Sequence, residues 1–225
     1  RLLSLAMPGA WDSGHLQPVL MWFSILAMTI GNLAALVQKD LKRLLGYSAI
    51  AHAGYVLLAL QSLGESGLTA AIFYAMGYFV MSLACFLVIG EVGKDRDTVS
   101  IESMSGLYKR APFMAFTLLL GLFGLIGLPP TVGFVGKWFL FSAALERGQF
   151  YLVLVAAINA TIGLYYYLMV IRQLYWVKPA TDERIAPSRL VALTAFAAIV
   201  LVLAMGTFPG TFWDLASRAA AALIS

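Results

Sequence analysis

The 225 residues are 61% hydrophobic and 12% charged, with a mean hydropathy of +0.87. Soluble domains carry about 25% charged residues, so this composition excludes a soluble protein and predicts an integral membrane protein. The apolar runs are long and continuous rather than alternating, which favours membrane-spanning helices over a closed β-barrel. The net charge of +4 does not indicate a nucleic-acid partner, because the basic residues lie between the apolar runs.

The N-terminal residues 1–17 begin with Arg1 and lack the apolar core of a signal peptide. They look like a lead-in from a preceding helix, and we therefore expect the sequence to be a piece of a longer protein. Residues 18–208 predict a bundle of about six helices, since a span needs about 20 apolar residues. The predicted spans are 18–37, 41–60, 68–89, 112–145, 150–176 and 190–208, and the longest loop is 91–110.

Residues 209–225 place apolar side chains at helical spacing, which predicts a short interfacial helix at the C-terminus. Charge then predicts orientation, because the loops of a six-span bundle alternate between two sides. Eleven Lys and Arg residues fall on one side and three on the other, and Lys137 lies within the membrane. The positive-inside rule places the basic loops in the cytoplasm and both chain ends on the opposite face.

The predicted span 112–145 contains a break. Adjacent prolines remove two backbone donors and interrupt a helix, and neighbouring glycines let other backbone approach closely. The residues that form this broken helix are Gly127, Pro129, Pro130, Gly133 and Gly136.

Lys137 follows the break and lies roughly 15 Å inside the polar turn at 146–147, at ~1.5 Å per residue. That depth is near the midplane of a hydrocarbon layer about 30 Å thick. A dry interior disfavours a charged ammonium, so a lysine there is suited to bind and release a proton. The alternative is that Lys137 caps carbonyls freed by the break.

The second span carries three polar side chains on one helical face, Ser48, His52 and Tyr55. His52 is near mid-depth, where an imidazole either relays protons or simply hydrogen-bonds within the bundle. Lys42 near the start of this span is either a cytoplasmic anchor or the mouth of a proton path.

Other polar residues within the spans have two interpretations. One group lies on the third span and another on the first and fifth spans. The residues of the third span would line a chain of waters or strengthen helix packing, and helix packing is the favoured interpretation for both groups. They are Tyr74, Tyr78, Ser82 and Cys85 on the third span, and Thr29, Asn32, Asn159 and Thr161 on the first and fifth. Tyr165, Tyr166, Tyr167, Tyr175 and Trp176 are interpreted partly as an aromatic belt. Glu91 is expected to be solvated or paired with Lys94.

The sequence contains no phosphate-binding loop, no CxxC motif, no paired metal-ligand spacing and no Ser/His/Asp set. No catalytic, cofactor-binding or metal-binding residue is therefore predicted in this chain.

Three segments are similar to the antiporter-like subunits of proton-pumping NADH:quinone oxidoreductase, respiratory complex I. They are GNLAALVQKDLKRLLGYSAIAHAGY at 31–55, GLPPTVGFVGK at 127–137 and IGLYYYLMVI at 162–171. The third segment looks like the N-type subunits. The M-type subunits usually carry a glutamate at the position of Lys137, and the L-type subunits carry basic residues where Phe73, Gly77 and Met81 stand.

The resemblance implies a subunit of about fourteen helices, built from two inverted five-helix repeats that each contain a broken helix. This chain would be the C-terminal half, from the end of the eighth helix. Lys137 matches the lysine of the second broken helix, Lys42 a lysine of the tenth helix and His52 a polar position on that same helix. Tyr47 and Ser48, between Lys42 and His52, complete the predicted proton-transfer set.

The implied function is proton translocation in a bacterial inner membrane, through a lysine, histidine and water path without redox chemistry of its own. The chain would be part of an enzyme only as a translocase subunit, with other membrane-arm subunits, lipid and protons as partners. NADH, FMN, iron–sulfur clusters and quinone would belong to partner subunits. The alternatives are a subunit of a multisubunit Na+/H+ antiporter or membrane-bound hydrogenase, and a purely structural scaffold.

Overall fold

The computed structural model describes residues 16–61, 64–94, 97–179 and 184–224. These ranges are helical and contain no β-strand, only one isolated bridge between Asp40 and Ser100. The helices are α1 (Leu16–Leu36), α2 (Leu41–Leu60), α3 (Glu65–Val92), α4 (Leu107–Arg110), α5 (Pro112–Ile126), α6 (Val132–Glu146), α7 (Phe150–Trp176), α8 (Arg189–Thr207) and α9 (Pro209–Ile224). A 3-10 turn, Ile101–Met104, precedes α4.

Five helices in the described ranges, α1, α2, α3, α7 and α8, are long and apolar enough to cross a membrane. The predicted sixth span is the pair α5 and α6, interrupted between Ile126 and Val132. The all-helical membrane fold with one broken helix is therefore confirmed. The predicted lead-in falls largely on residues 1–15, which lie outside the described residues.

Polar side chains fix the helix ends at one end of the bundle. Asp40 caps α2 by accepting a hydrogen bond from Arg43 N at 2.8 Å, and its second carboxylate oxygen accepts one from Val99 N at 2.6 Å. Glu91 pairs with Lys94 at 2.8 Å, which is one of the two alternatives that the sequence leaves open, and it accepts a hydrogen bond from Ser188 N. These contacts tie the loop segments to the neighbouring helix ends.

Three basic segments of the chain meet at this same end: the α1–α2 turn with Lys39, the segment 99–110, and the segment before α8 that contains Arg184. Ile101 N donates to Lys39 O at 2.9 Å, which joins the α1–α2 turn to the segment before α4. Ile185 N donates to Arg110 O at 3.2 Å, which adds the segment before α8. The basic loops that were predicted to lie on one side of the membrane therefore share one end of the bundle.

The core of the bundle surrounds α3, which packs against α2, α5, α6, α8 and α9. Phe73, Met81 and Cys85 on this helix are fully buried. The C-terminal segment is helical, as predicted, and its Ala216 and Ala220 are buried. Its interfacial position stays a prediction.

The break itself depends on two glycines. Gly127 ends α5 with φ +90°, a left-handed conformation that favours glycine. Gly133 lies so close to α5 that a Cβ there would overlap the Gly124 carbonyl. Gly136 packs against the Tyr74 ring, and the Pro129–Pro130 bond is cis. The two half-helices are therefore held in close backbone contact.

Candidate functional site

Lys137 lies on the second turn of α6 and is only 8% exposed. Its Nζ donates hydrogen bonds to Leu125 O at 3.0 Å and Ile126 O at 2.7 Å. These carbonyls lie in the last turn of α5, where carbonyls lack a helical partner. Lys137 therefore caps one half of the broken helix from the other half, which is the contact that the scaffold alternative expects.

An aromatic ring completes the surroundings of Lys137. Its Nζ lies 5.3 Å from the centroid of the Tyr55 ring on α2, within the range of a cation–π attraction. No carboxylate among the residues that the structure describes forms an ion pair with Lys137. The two carbonyl dipoles and the face of the Tyr55 ring stabilise the ammonium form of Lys137. Burial in an apolar interior opposes this stabilisation.

His52 is the centre of a second polar group, which shares Tyr55 with Lys137. The imidazole is 4% exposed, with Nδ1 2.6 Å from the Tyr74 hydroxyl and Nε2 3.3 Å from the Tyr167 hydroxyl. Its ring centroid lies 5.8 Å from that of Tyr55. With both ring nitrogens engaged, a neutral imidazole donates through one and accepts through the other. Exchange of the two tautomers would pass a proton between the tyrosines.

Ser48 extends this group by one turn of α2 toward the basic end. Its hydroxyl is buried and donates to Leu45 O at 2.8 Å, and it also interacts with the Tyr167 side chain. The result is a chain of hydroxyl and imidazole groups, Ser48, Tyr167, His52 and Tyr74, contributed by α2, α7 and α3. Every member can both donate and accept a hydrogen bond.

A branch of polar side chains joins α7 to α1. The Tyr166 hydroxyl donates to Asn32 Oδ1 at 2.9 Å, and Asn32 Nδ2 donates to Asn159 Oδ1 at 3.2 Å. Asn159 Nδ2 in turn donates to Thr29 Oγ1 at 3.4 Å. These interhelical bonds agree with the packing interpretation of Thr29, Asn32 and Asn159.

The aromatic-belt interpretation is wrong for two tyrosines of α7. Tyr166 and Tyr167 are 2% and 1% exposed and lie in the polar core, whereas Tyr165 is 62% exposed. Helical spacing would have predicted this burial, because residues seven and eight positions after Asn159 lie on the same helical face as Asn159. A polar residue in the middle of a span marks the inward face, and that face contains Tyr166 and Tyr167.

The stripe predicted on α3 divides between two environments. Tyr74 and Tyr78 face His52, with 4.9 Å between the His52 and Tyr78 ring centroids, and Ser82 interacts with Tyr78. Cys85 is buried against Gly121 on α5. The first part of the stripe thus joins the polar group, and its end contributes to helix packing.

The remaining predicted residues lie apart from this group. Lys42 is half-buried at the start of α2, and its Nζ donates to Asp97 O at 3.3 Å. Ten residues separate it from His52, about 15 Å along a helix. Tyr47 is 38% exposed on another face of α2. The fold therefore brings together Ser48, His52 and the surroundings of Lys137, but it leaves Lys42 at the basic end and Tyr47 on the outer face.

Comparisons with known proteins give consistent matches. A family model described as "NADH:quinone oxidoreductase/Mrp antiporter, TM" matches residues 1–163. NADH-quinone oxidoreductase subunit N 2 of Syntrophobacter fumaroxidans is 43% identical over 227 residues, covering 99% of this chain and 48% of that protein. This chain spans about half the length of the curated relatives it matches.

Two solved structures have a similar fold. A chain of respiratory complex I from Thermus thermophilus with bound aureothin is 31% identical with a TM-score of 0.73, over 88% of this chain and 45% of that chain. A chain of the Mrp complex from Dietzia sp. DQ12-45-1b is 26% identical with a TM-score of 0.82, over 91% of this chain and 47% of that chain.

Proposed function

This chain belongs to the transmembrane family of NADH:quinone oxidoreductases and Mrp antiporters, and we propose that it translocates protons as the C-terminal part of an N-type subunit of bacterial respiratory complex I. One observation carries the proposal. A buried lysine at the break of a membrane helix contacts the Tyr55 ring, and another neighbour of that ring is an imidazole whose two ring nitrogens both have hydroxyl partners. Ionisable groups within a membrane span are costly, and they mark proton and ion pathways.

The proposed path starts at the basic end of the bundle, near Lys42. It continues through Ser48, Tyr167 and His52, and the step from His52 past the Tyr55 ring to Lys137 would be made by water. Hydroxyl and imidazole groups pass a proton by donating one and accepting another, so no ion has to move through the apolar interior. Water molecules between the second and third predicted spans would complete the steps that no side chain covers.

Lys137 would hold the proton before it is released to the other side of the membrane. A positive charge that approaches from the rest of the subunit or from a neighbour disfavours the ammonium by Coulomb repulsion, which is strong where water is excluded. Lys137 then returns to the neutral amine. This step needs groups that lie outside the present sequence.

The chemistry that drives such a pump would lie elsewhere in the complex. NADH, FMN, iron–sulfur clusters and quinone would be bound by partner subunits, and the partners of this chain would be the other membrane-arm subunits and lipid. With the basic loops in the cytoplasm of a bacterial cell, as the positive-inside rule predicts, protons would move away from the cytoplasmic face.

The decisive experiment replaces Lys137 in the full-length subunit within the complex and measures proton pumping per NADH oxidised. Lys137→Arg keeps a positive charge and several donors for the α5 carbonyls, but a guanidinium does not release its proton. We expect pumping to fall about tenfold or more in both Lys137→Arg and Lys137→Ala. Lys109→Arg, the same change on the exposed surface of α4, is the matched control.

The scaffold alternative predicts another outcome. If Lys137 only caps α5, Lys137→Arg retains the hydrogen bonds to Leu125 O and Ile126 O and pumps as well as the control. Full pumping by Lys137→Arg in an assembled complex would reject the proposed function.

The likeness to Mrp antiporters favours one competing candidate, the Na+/H+ antiporter subunit named as an alternative in the sequence analysis. The two candidates differ in their need for the second ion. Proton pumping by complex I should be the same in sodium-free and sodium-containing vesicles, whereas an exchanger stops when sodium is removed.

A further inference from the structure

Helices α8 and α9 lie beyond residues 1–163, the part of the chain that the family model matches. Both nevertheless pack near the break between α5 and α6. We propose that the junction of α8 and α9, residues 206–213, is a positioning element. It fixes the linker between α5 and α6, and it thereby fixes the position of Lys137. This inference rests on the proposed function, which it extends to a part of the chain with no predicted role in proton transfer.

The first contact is made by Gly206, next to the last residue of α8. A Cβ at this position would overlap the Pro130 carbonyl oxygen, and it would lie 2.5 Å from the Thr131 carbonyl carbon and 2.7 Å from Val132 N. Cβ atoms essentially never approach other atoms closer than 3.0 Å. The backbone of α8 therefore rests directly on the linker between α5 and α6, with no space for a methyl group.

The linker is also held from inside the break. Thr131 is buried, and its hydroxyl donates to Leu128 O at 2.6 Å, as does its backbone N at 3.0 Å. Lys137 binds the preceding carbonyls, those of Leu125 and Ile126. Gly206 is in close contact with the backbone of residues 130–132. A shift of α8 would therefore move the start of α6 relative to the carbonyls of Leu125 and Ile126.

The second contact is made by α9 on α6. The Trp213 ring lies 4.3 Å from the Phe139 ring and 6.2 Å from the Phe73 ring, measured between centroids. Phe139 is two residues beyond Lys137. Phe208 is not helical and separates α8 from α9. The two helices contact different parts of the broken helix: α8 contacts the linker, and α9 contacts Phe139 on α6. Lys137 lies between these contacts, one at Val132 and the other at Phe139.

The test uses Gly206→Ala in the full-length subunit within the assembled complex. The added methyl group overlaps the Pro130 carbonyl oxygen, so the linker or α8 must shift to make room for it. Small displacements of reacting groups lower rates strongly, and we expect pumping per NADH to fall about threefold or more, with an altered pH profile. Amide hydrogen exchange of residues 126–134, measured by mass spectrometry, should become faster.

The matched control is Gly210→Ala, four residues further along. A Cβ at Gly210 meets no atom within 4 Å, so this variant should pump and exchange like the wild type. Trp213→Ala provides a second test if Gly206→Ala does not assemble. It removes the contact with Phe139, and it is compared with Trp138→Ala, whose side chain is exposed on α6.

Unchanged exchange at residues 126–134 in an assembled Gly206→Ala or Trp213→Ala complex would overturn the inference. Faster exchange with full pumping would overturn it as well, because Lys137 would then not depend on the linker. Failure of the proposed function appears in a different experiment, namely full pumping by Lys137→Arg, so the two failures are distinguishable.

Discussion

Lys137 is bound by groups that accept hydrogen bonds but never donate them. The carbonyls of Leu125 and Ile126 accept more strongly from an ammonium than from a neutral amine, because hydrogen bonds that involve a charge are roughly twice as strong. Binding of a proton therefore tightens the link between α5 and α6, and its release loosens that link. The protonation of one side chain is thus coupled to the stability of the break.

The His52 group leads to a prediction at the residue scale. Tyr167→Phe removes the hydroxyl that lies 3.3 Å from His52 Nε2, so the relay loses one member and the imidazole loses one partner. We expect pumping to fall about threefold or more while the complex still assembles. Proton uptake by inverted membrane vesicles during NADH oxidation measures this effect.

Tyr47→Phe is the control for that experiment, because it removes a hydroxyl from a side chain that is 38% exposed on the same bundle. It should leave pumping unchanged. A loss of pumping in Tyr47→Phe would instead include Tyr47 in the path, as the sequence analysis predicts. Equal rates in Tyr167→Phe and the wild type would exclude the Tyr167 hydroxyl from the path.

At the scale of elements, the broken helix is stabilised by backbone contact rather than by large side chains. α5 and α6 approach so closely at Gly124 and Gly133 that no side chain fits between them. Small residues at helix contacts compensate for the weak hydrophobic driving force between helices in lipid. The break therefore depends on packing as much as on its prolines.

Gly133→Ala tests this dependence. The methyl group would overlap the Gly124 carbonyl, and forced overpacking costs about 1–3 kcal/mol or more. We expect the subunit to be lost from the complex at a lower temperature, which gel analysis after a series of heating steps measures. Gly46→Ala on α2 is the control, because a Cβ there meets no atom within 4 Å and alanine favours helix. Equal stability of the two variants would contradict the packing argument.

At the scale of the whole molecule, the three basic segments form one end of the bundle. Hydrogen bonds from Ile101 N to Lys39 O and from Ile185 N to Arg110 O connect them directly. These contacts are independent of any membrane, and they support the alternation of loops on which the predicted orientation rests. Which end faces the cytoplasm is the part that the positive-inside rule supplies.

Cysteine labelling tests the orientation. Glu102→Cys places a thiol at the basic end and Glu146→Cys places one at the opposite end, and both positions are exposed. The native Cys85 is fully buried and should stay unlabelled. In inverted vesicles, an impermeant maleimide should label this subunit at Glu102→Cys and not at Glu146→Cys. The reverse pattern would place the basic loops outside the cytoplasm.

Local rules of chain chemistry were enough to predict the spans and the break, while the depth of Lys137 in the membrane stays a prediction. A span requires about 20 apolar residues, and adjacent prolines interrupt a helix wherever they occur. The prediction of α2 and α7 as residues 41–60 and 150–176 agrees with the structure residue for residue. Two of the residues placed in the path, Ser48 and His52, also proved to lie on one buried face.

Only the tertiary structure decided which side chains face one another. It placed Tyr167, 115 residues from His52 in the chain, against the imidazole, and it placed Gly206 on the linker of the broken helix. The physical reason is that lipid and protein interior are both apolar, so a membrane helix lacks the polar face that reveals orientation in a soluble protein. The inward face is then chosen by packing and by interhelical hydrogen bonds between residues far apart in the sequence.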